Sequence, residues 1–308
     1  MAITFDKLIR PAAGSDYRQP NRHRKLGLSI GALGVLLATI TLIANFVAGD
    51  LVGTGEEVSG ILASSFGLTT LAFGTVKFGI AVILVGILVR LWHRVESVQE
   101  TLPNLVGKSP AVDIRPGDID TEYGAAIVAA RASSPLPIHK MARKMWAPML
   151  AMGAMAVVTG FFVSLGWANS GGTTAAAWTQ GLQFLGEALL LSGISFLLGS
   201  ILGALRDGGG QIQESLGLSV VTLKMPWTAK LFVALMATGL MLGIFQFVAY
   251  LVVASNGTDV AANFAWLGPI RELSLGLLLS GIVLALATIG NALGLQFNRL
   301  REIVATGR

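Results

Sequence analysis

The chain has 308 residues, of which 53% are hydrophobic and 13% charged, with a mean hydropathy of +0.70 and a formal net charge of +5. That is far too apolar for a soluble domain of this size and places the chain in a bilayer. With no cysteine, it has no disulfide, no iron–sulfur cluster, no thiolate zinc site and no Cys nucleophile.

The N-terminal segment, residues 1–25, carries charges throughout and lacks a small-residue cleavage signature, so it reads as a retained cytoplasmic segment rather than a signal peptide. Six apolar segments follow, near Leu26–Ala48, Leu71–Trp92, Trp146–Trp167, Leu182–Leu205, Leu231–Val253 and Leu273–Leu295. Each has about the 20 residues that a helix needs to cross some 30 Å of hydrocarbon. Inside hydrocarbon the backbone must satisfy its own hydrogen bonds, which selects helices, because no alternating pattern suggests a barrel.

Two kinds of repeat pair these helices. Leu189-Leu190-Leu191-Ser192-Gly193-Ile194 returns 88 residues later as Leu277-Leu278-Leu279-Ser280-Gly281-Ile282, and an Ala-Trp pair, Ala177-Trp178 and Ala265-Trp266, precedes each copy in the same register. Lys25, Lys144 and Lys230 each stand nine residues before a glycine, namely Gly34, Gly153 and Gly239. Aligning Gly86 with Gly193 and Gly281 completes a third, more diverged copy. The fold class predicted is an all-α integral membrane protein, with six transmembrane helices as three parallel helical-hairpin repeats. The hairpins occupy residues 26–94, 144–206 and 230–298, and the stretches 95–143, 207–229 and 299–308 form two cytoplasmic loops and a tail.

Orientation follows from the cations. Of the 22 Lys and Arg residues, 20 fall in the N-terminal segment, the stretches Arg90–Lys144 and Arg206–Lys230 and the C-terminal tail, leaving Lys77 and Arg271 towards the other side. That bias puts both termini in the cytoplasm, in a bacterial inner membrane. It also explains the basic net charge without a nucleic-acid partner.

Within Val95–Arg143 prolines such as Pro103, Pro116, Pro135 and Pro137 interrupt the chain, and Thr121–Ala132 reads as one short helix. The outer connections Gly55–Thr70, Gly171–Gln180 and Thr258–Ile270 read as short helices lying in the interface, with Trp178 and Trp266 as headgroup-level anchors. Small residues four apart, at Gly27 and Gly31, Gly199 and Gly203, Gly239 and Gly243, and Gly290 and Gly294, favour close helix packing.

Charges inside apolar helices are costly, about 2.5–3.5 kcal/mol at the centre, and they usually face the bundle interior or a cavity. Lys77, Glu187, Arg271 and Glu272 therefore form the candidate intramembrane polar site, with Lys77 and Glu187 expected to pair. Counted back from the aligned glycines, Lys77 and Glu272 both fall at minus nine. Asn45, Gln246, Tyr250 and Asn291 are expected to hydrogen-bond between helices.

No other pattern carries chemistry. His23, His93 and His139 all lie at the membrane edge, so bis-histidine haem ligation inside the bundle is not expected. His139 with Met141, Met145, Met149 and Met152 matches a soft Cu(I) site only loosely, since Met at helical spacing is ordinary packing. Asp118, Asp120 and Glu122 lack the glycine and distal glutamate of a calcium loop, and Asn256-Gly257-Thr258 is a glycosylation sequon that arises commonly by chance.

No catalytic residue, metal ligand or cofactor-binding residue is expected, and the chain is not expected to be an enzyme. The expected function is a non-catalytic accessory or scaffold subunit of a larger membrane complex. Its partners would be the lipid bilayer and other membrane subunits, or further copies of itself as a homo-oligomer. The alternative is a transporter or channel for a small ion, using the polar site in the outer half of the bundle.

Overall fold

In a computed structural model of the chain, each of the six apolar segments forms a helix long and apolar enough to cross a membrane. The structure describes residues 22–53, 57–101, 127–129, 137–218, 220–223, 225–256 and 260–306. The calcium-like acidic run, most of the sequon and residues 1–21 lie outside the described residues. The helices are α1 (Arg22–Gly53), α2 (Ser59–Thr101), α3 (Pro137–Ser170), α4 (Thr173–Ser215), α5 (Trp227–Asn256) and α6 (Val260–Thr306).

The helices pair as α1 with α2, α3 with α4 and α5 with α6. The pairs stand side by side rather than closing a ring: α4 touches α2 and α3 on one flank and α5 and α6 on the other. The middle pair is thus the core of the molecule. Along its most apolar stretch α4 is 89% buried, whereas α1 at the edge is only 17% buried.

Close packing within the pairs depends on glycine. A Cβ on Gly153 would meet Leu190 and the Gly186 carbonyl, one on Gly239 would meet Leu278 and the Ser274 carbonyl, and one on Gly34 would meet Val76 and the Ala72 carbonyl. In the second and third pairs these partners stand three and seven residues before Gly193 and Gly281. In the first pair the residue at that offset is Gly79. The packing therefore equates Gly79 with Gly193 and Gly281, seven residues from the Gly86 that sequence alignment selects. A slip of seven residues is two helical turns, which keeps the same face inward and so leaves little trace in the apolar pattern.

The outer connections differ from expectation. Segments 59–70, 173–180 and 260–270 are the opening turns of α2, α4 and α6, continuous with the spans, and not separate interfacial helices. Nothing there terminates a helix, and Pro269 is accommodated inside α6. The turn from α3 to α4 is correspondingly tight: Gly171 adopts a left-handed conformation at φ +64, and its N–H donates to the Trp167 carbonyl at 2.8 Å. Only glycine takes that backbone at little cost.

At the end rich in Lys and Arg, α2, α4 and α6 continue past the apolar segments, into sequence expected as loop and tail. There Val95 and Val98 of α2, Ile212 of α4 and Ile303 of α6 form a small separate core. The Arg94 guanidinium lies 4.8 Å over the Phe297 ring beside it. The short helix expected over Thr121–Ala132 is also corrected. Ile127–Ala129 is a strand, β1, paired antiparallel with β2 (Val221–Leu223). Val and Ile suit a strand, and each three-residue segment supplies the partner the other needs.

Candidate functional site

Glu187 lies on α4 about four turns in from Thr173, and it is 3% exposed. Being on the enclosed helix, its carboxylate faces protein on every side, and both oxygens are engaged. Lys77 of α2 donates from Nζ to Oε1 at 3.1 Å, and Arg271 of α6 donates from one terminal nitrogen to Oε2 at 2.9 Å. One carboxylate of the middle pair thus clamps a cation from each flanking pair.

Lys77 reaches Glu187 because helical side chains lean towards the N-terminus, here the outer end, and because its stem is long. In the packing register Lys77 stands two residues before its equivalent glycine, so its correspondence with Glu272 at minus nine does not survive. Glu272 also leaves the cluster: its side chain is 74% exposed and 3.8 Å from Arg271, a weak surface contact. The interior site is therefore Lys77, Glu187 and Arg271, with Glu272 at its outer edge.

An aromatic platform supports the clamp. The Arg271 guanidinium lies 4.1 Å over the Phe184 ring, whose edge-on neighbours are Tyr250 at 5.7 Å and Phe66 at 6.3 Å. A planar, weakly hydrated guanidinium suits this position, where a lysine ammonium would give up the stacking.

A polar band continues outward from Glu187 along the same face of α4. Gln183 and Thr179 stand one and two turns away and are 0% exposed, with Gln180 beside them at 6%. Thr70 of α2 donates to the Gln183 Oε1 at 3.2 Å. Gln183 Nε2, Gln180 Oε1, Thr179 Oγ1 and Arg271 Nε have no partner in the structure. Sequence reasoning missed this band because it assigned the chain up to Gln180 to an outer connection. The signal was a pair of glutamines three apart, just where an apolar helix begins.

The other expected polar residues serve helix contacts, with one exception. Ser65 donates to the Asn45 Oδ1 between α2 and α1, and the Gln246 amide donates to the Leu267 carbonyl between α5 and α6. Tyr250 is buried against Phe184. Asn291 instead faces outward and makes no hydrogen bond among the described residues. Trp178 and Trp266 are both exposed near the N-terminal ends of α4 and α6, 41% and 45% respectively.

His139 donates from Nδ1 to the Gly199 carbonyl at 3.2 Å, while Met141 and Met152 point outward. Among the described residues no three His, Asp or Glu side chains converge as metal ligands. The arrangement can hold opposite charges apart from lipid and can bind polar groups along α4. It presents no nucleophile–base pair. Compared with known protein families, curated proteins and solved structures, the chain matches none.

Proposed function

We propose that this chain is a non-catalytic scaffold or accessory subunit of a membrane complex, oriented with both termini in the cytoplasm of a bacterial inner membrane. We read its three hairpins as parallel repeats, supported by the recurring glycine contacts in each pair. The observation that carries the function is the outer face of α6. Gly276, Ser280, Ala287 and Gly290 lie along it, all exposed, with Val283 among them at 65% exposure and Asn291 beside them. A Cβ on Gly276 or Gly290 would meet nothing within 4 Å, so these small residues serve no contact among the described residues.

Small residues let a second helix approach closely, and an asparagine facing lipid gains a hydrogen bond only when a helix covers it. Such a face is what a membrane subunit needs to dock a partner, whether another protein or a second copy. The saturated clamp at Glu187 fits the same reading, since a carboxylate with a cation on each oxygen is a fastening between hairpins. The test is mild-detergent purification with intact-complex mass. Wild-type chain should carry defined partners in fixed stoichiometry, and Gly290→Leu should shed them while keeping the fold. A chain that is monomeric before and after the substitution would overturn the scaffold reading.

A second reading, ion transport through the outer half, is favoured by the four unpartnered buried atoms around Gln183. Buried polar groups without partners cost about 1–3 kcal/mol each, and water or an ion would relieve that. Flux of a small ion into liposomes holding the pure chain, lost in Gln183→Leu, would favour it.

A further inference from the structure

On the otherwise enclosed α4, Gly199, Leu202, Arg206 and Gly209 stay partly accessible and follow one another at helical spacing. Both α3 and α5 pack on α4, and they part above this line, making it the floor of a groove. At mid-depth the groove is a cavity of about 360 Å³, walled by Ile138 and Met141 on one side and Phe232 and Met236 on the other. Towards the basic end α6 joins the wall, and the lining changes to Gln213, Gln296, Arg206 and Arg299.

We infer that this groove binds one anionic phospholipid from the leaflet on the basic side, with its phosphate at Arg206 and an acyl chain along the apolar floor. Three observations select that occupant. The first is charge. Asp207, next to Arg206 in the chain, is already taken by Arg143 at 2.8 Å, and Arg206 makes no hydrogen bond or ion pair among the described residues. A guanidinium set at the end of an apolar slot selects an anion that brings its own hydrocarbon.

The second is length. From Ser195 to Arg206 the floor measures about 16 Å at 1.5 Å per residue, close to half of a hydrocarbon core of roughly 30 Å. The slot therefore matches one leaflet in depth. The third is the cationic surround: Lys140, Lys144 and Lys230 are exposed on the first turns of α3 and α5 at the same end, a field that concentrates anionic lipid. A protein helix seated here would need an acidic residue opposite Arg206, whereas an anionic phospholipid brings charge and hydrocarbon together. The groove also lies on a different face of α6 from Gly276 and Gly290, so it is independent of the docking surface proposed above.

The test is native mass spectrometry of the full chain, stripped of lipid in detergent and titrated with phosphatidylglycerol or phosphatidylcholine, with a melting curve for each sample. Wild type should take up one phosphatidylglycerol, hold it about tenfold more tightly than phosphatidylcholine and melt higher with it. Arg206→Gln should erase that preference, and Arg206→Lys should keep most of it. Ala292→Phe fills the groove without touching a charge and should lower binding of both lipids, which guards against a charge variant that merely misfolds. Equal uptake of the two lipids by wild type, unchanged preference in Arg206→Gln, or a second protein chain cross-linked into the groove would each overturn the assignment.

Discussion

α1 and α4 are both long apolar helices, and α1 is the more apolar of the two, yet one is a lipid-facing edge and the other the enclosed axis of the molecule. The difference lies in which side chains break the apolar run. α1 is decorated on most sides by exposed Leu, Ile, Val and Phe, among them Phe46 at 70%. α4 carries Thr179, Gln183, Glu187, Ser192, Ser195 and Ser200, all buried, with glycines where α3 and α5 approach. In a bilayer, apolar side chains gain little by leaving lipid for protein. Helix position is therefore decided by small residues and by polar groups that need partners.

If that contrast is right, its sharpest break is at Glu187. Glu187→Gln takes the close counter-charge from two partly buried cations, leaving Arg271 only the exposed Glu272 at 3.8 Å, and should cost about 3 kcal/mol, read as a lower melting temperature and folded yield in detergent. Replacing the three together, Lys77→Met, Glu187→Leu and Arg271→Met, should recover most of that loss, because no charge is then left buried. A triple variant as unstable as Glu187→Gln would mean that the clamp contributes beyond neutralising itself.

A smaller effect is expected where backbones touch. Gly153→Ala drives a methyl into the Leu190 backbone and should cost about 1–3 kcal/mol, whereas Gly276→Ala, with nothing within 4 Å of its Cβ among the described residues, should not lower the melting temperature of the isolated chain. Gln183→Leu sharpens the comparison within α4 itself. In a dry bundle, removing the unpartnered amide should change stability by about 1 kcal/mol or less, since the relieved nitrogen offsets the lost Thr70 bond. A loss of several kcal/mol would point to ordered water on that nitrogen. The smallest effect belongs to the edge: Phe46→Ala on α1 should stay within about 0.5 kcal/mol in unfolding measurements. A large loss there would show that α1 is covered by a partner in the folded protein.

Much of the candidate site is legible in the amino-acid sequence. Charges in apolar runs are expensive enough that Lys77, Glu187 and Arg271 stand out by position alone, and opposite charges at similar depth have an obvious pairing. Glu272 groups with them in sequence because it follows Arg271. Successive helical residues point about 100° apart, so the neighbour of an inward arginine turns out to solvent. Thr179 and Gln180 are misplaced, and Gln183 passes unnoticed at the start of the fourth segment, for a different reason: uncharged polar residues near a helix start look alike whether they lie in the interface or inside. The groove on α4 is not legible at all, because Leu202 and Arg206 take their meaning from the divergence of α3 and α5 above them.

The sequence alone determined that six helices are long and apolar enough to cross a bilayer, where the cations cluster along the chain, and which segments follow one another as hairpins, because length, hydropathy and charge act on each segment independently of its neighbours. Only the tertiary structure decided which helix is central, that the first hairpin is slipped by two turns, and that a single carboxylate joins all three. Those outcomes depend on how closely two backbones can approach, and that distance is set jointly by a glycine on one helix and whatever faces it on another.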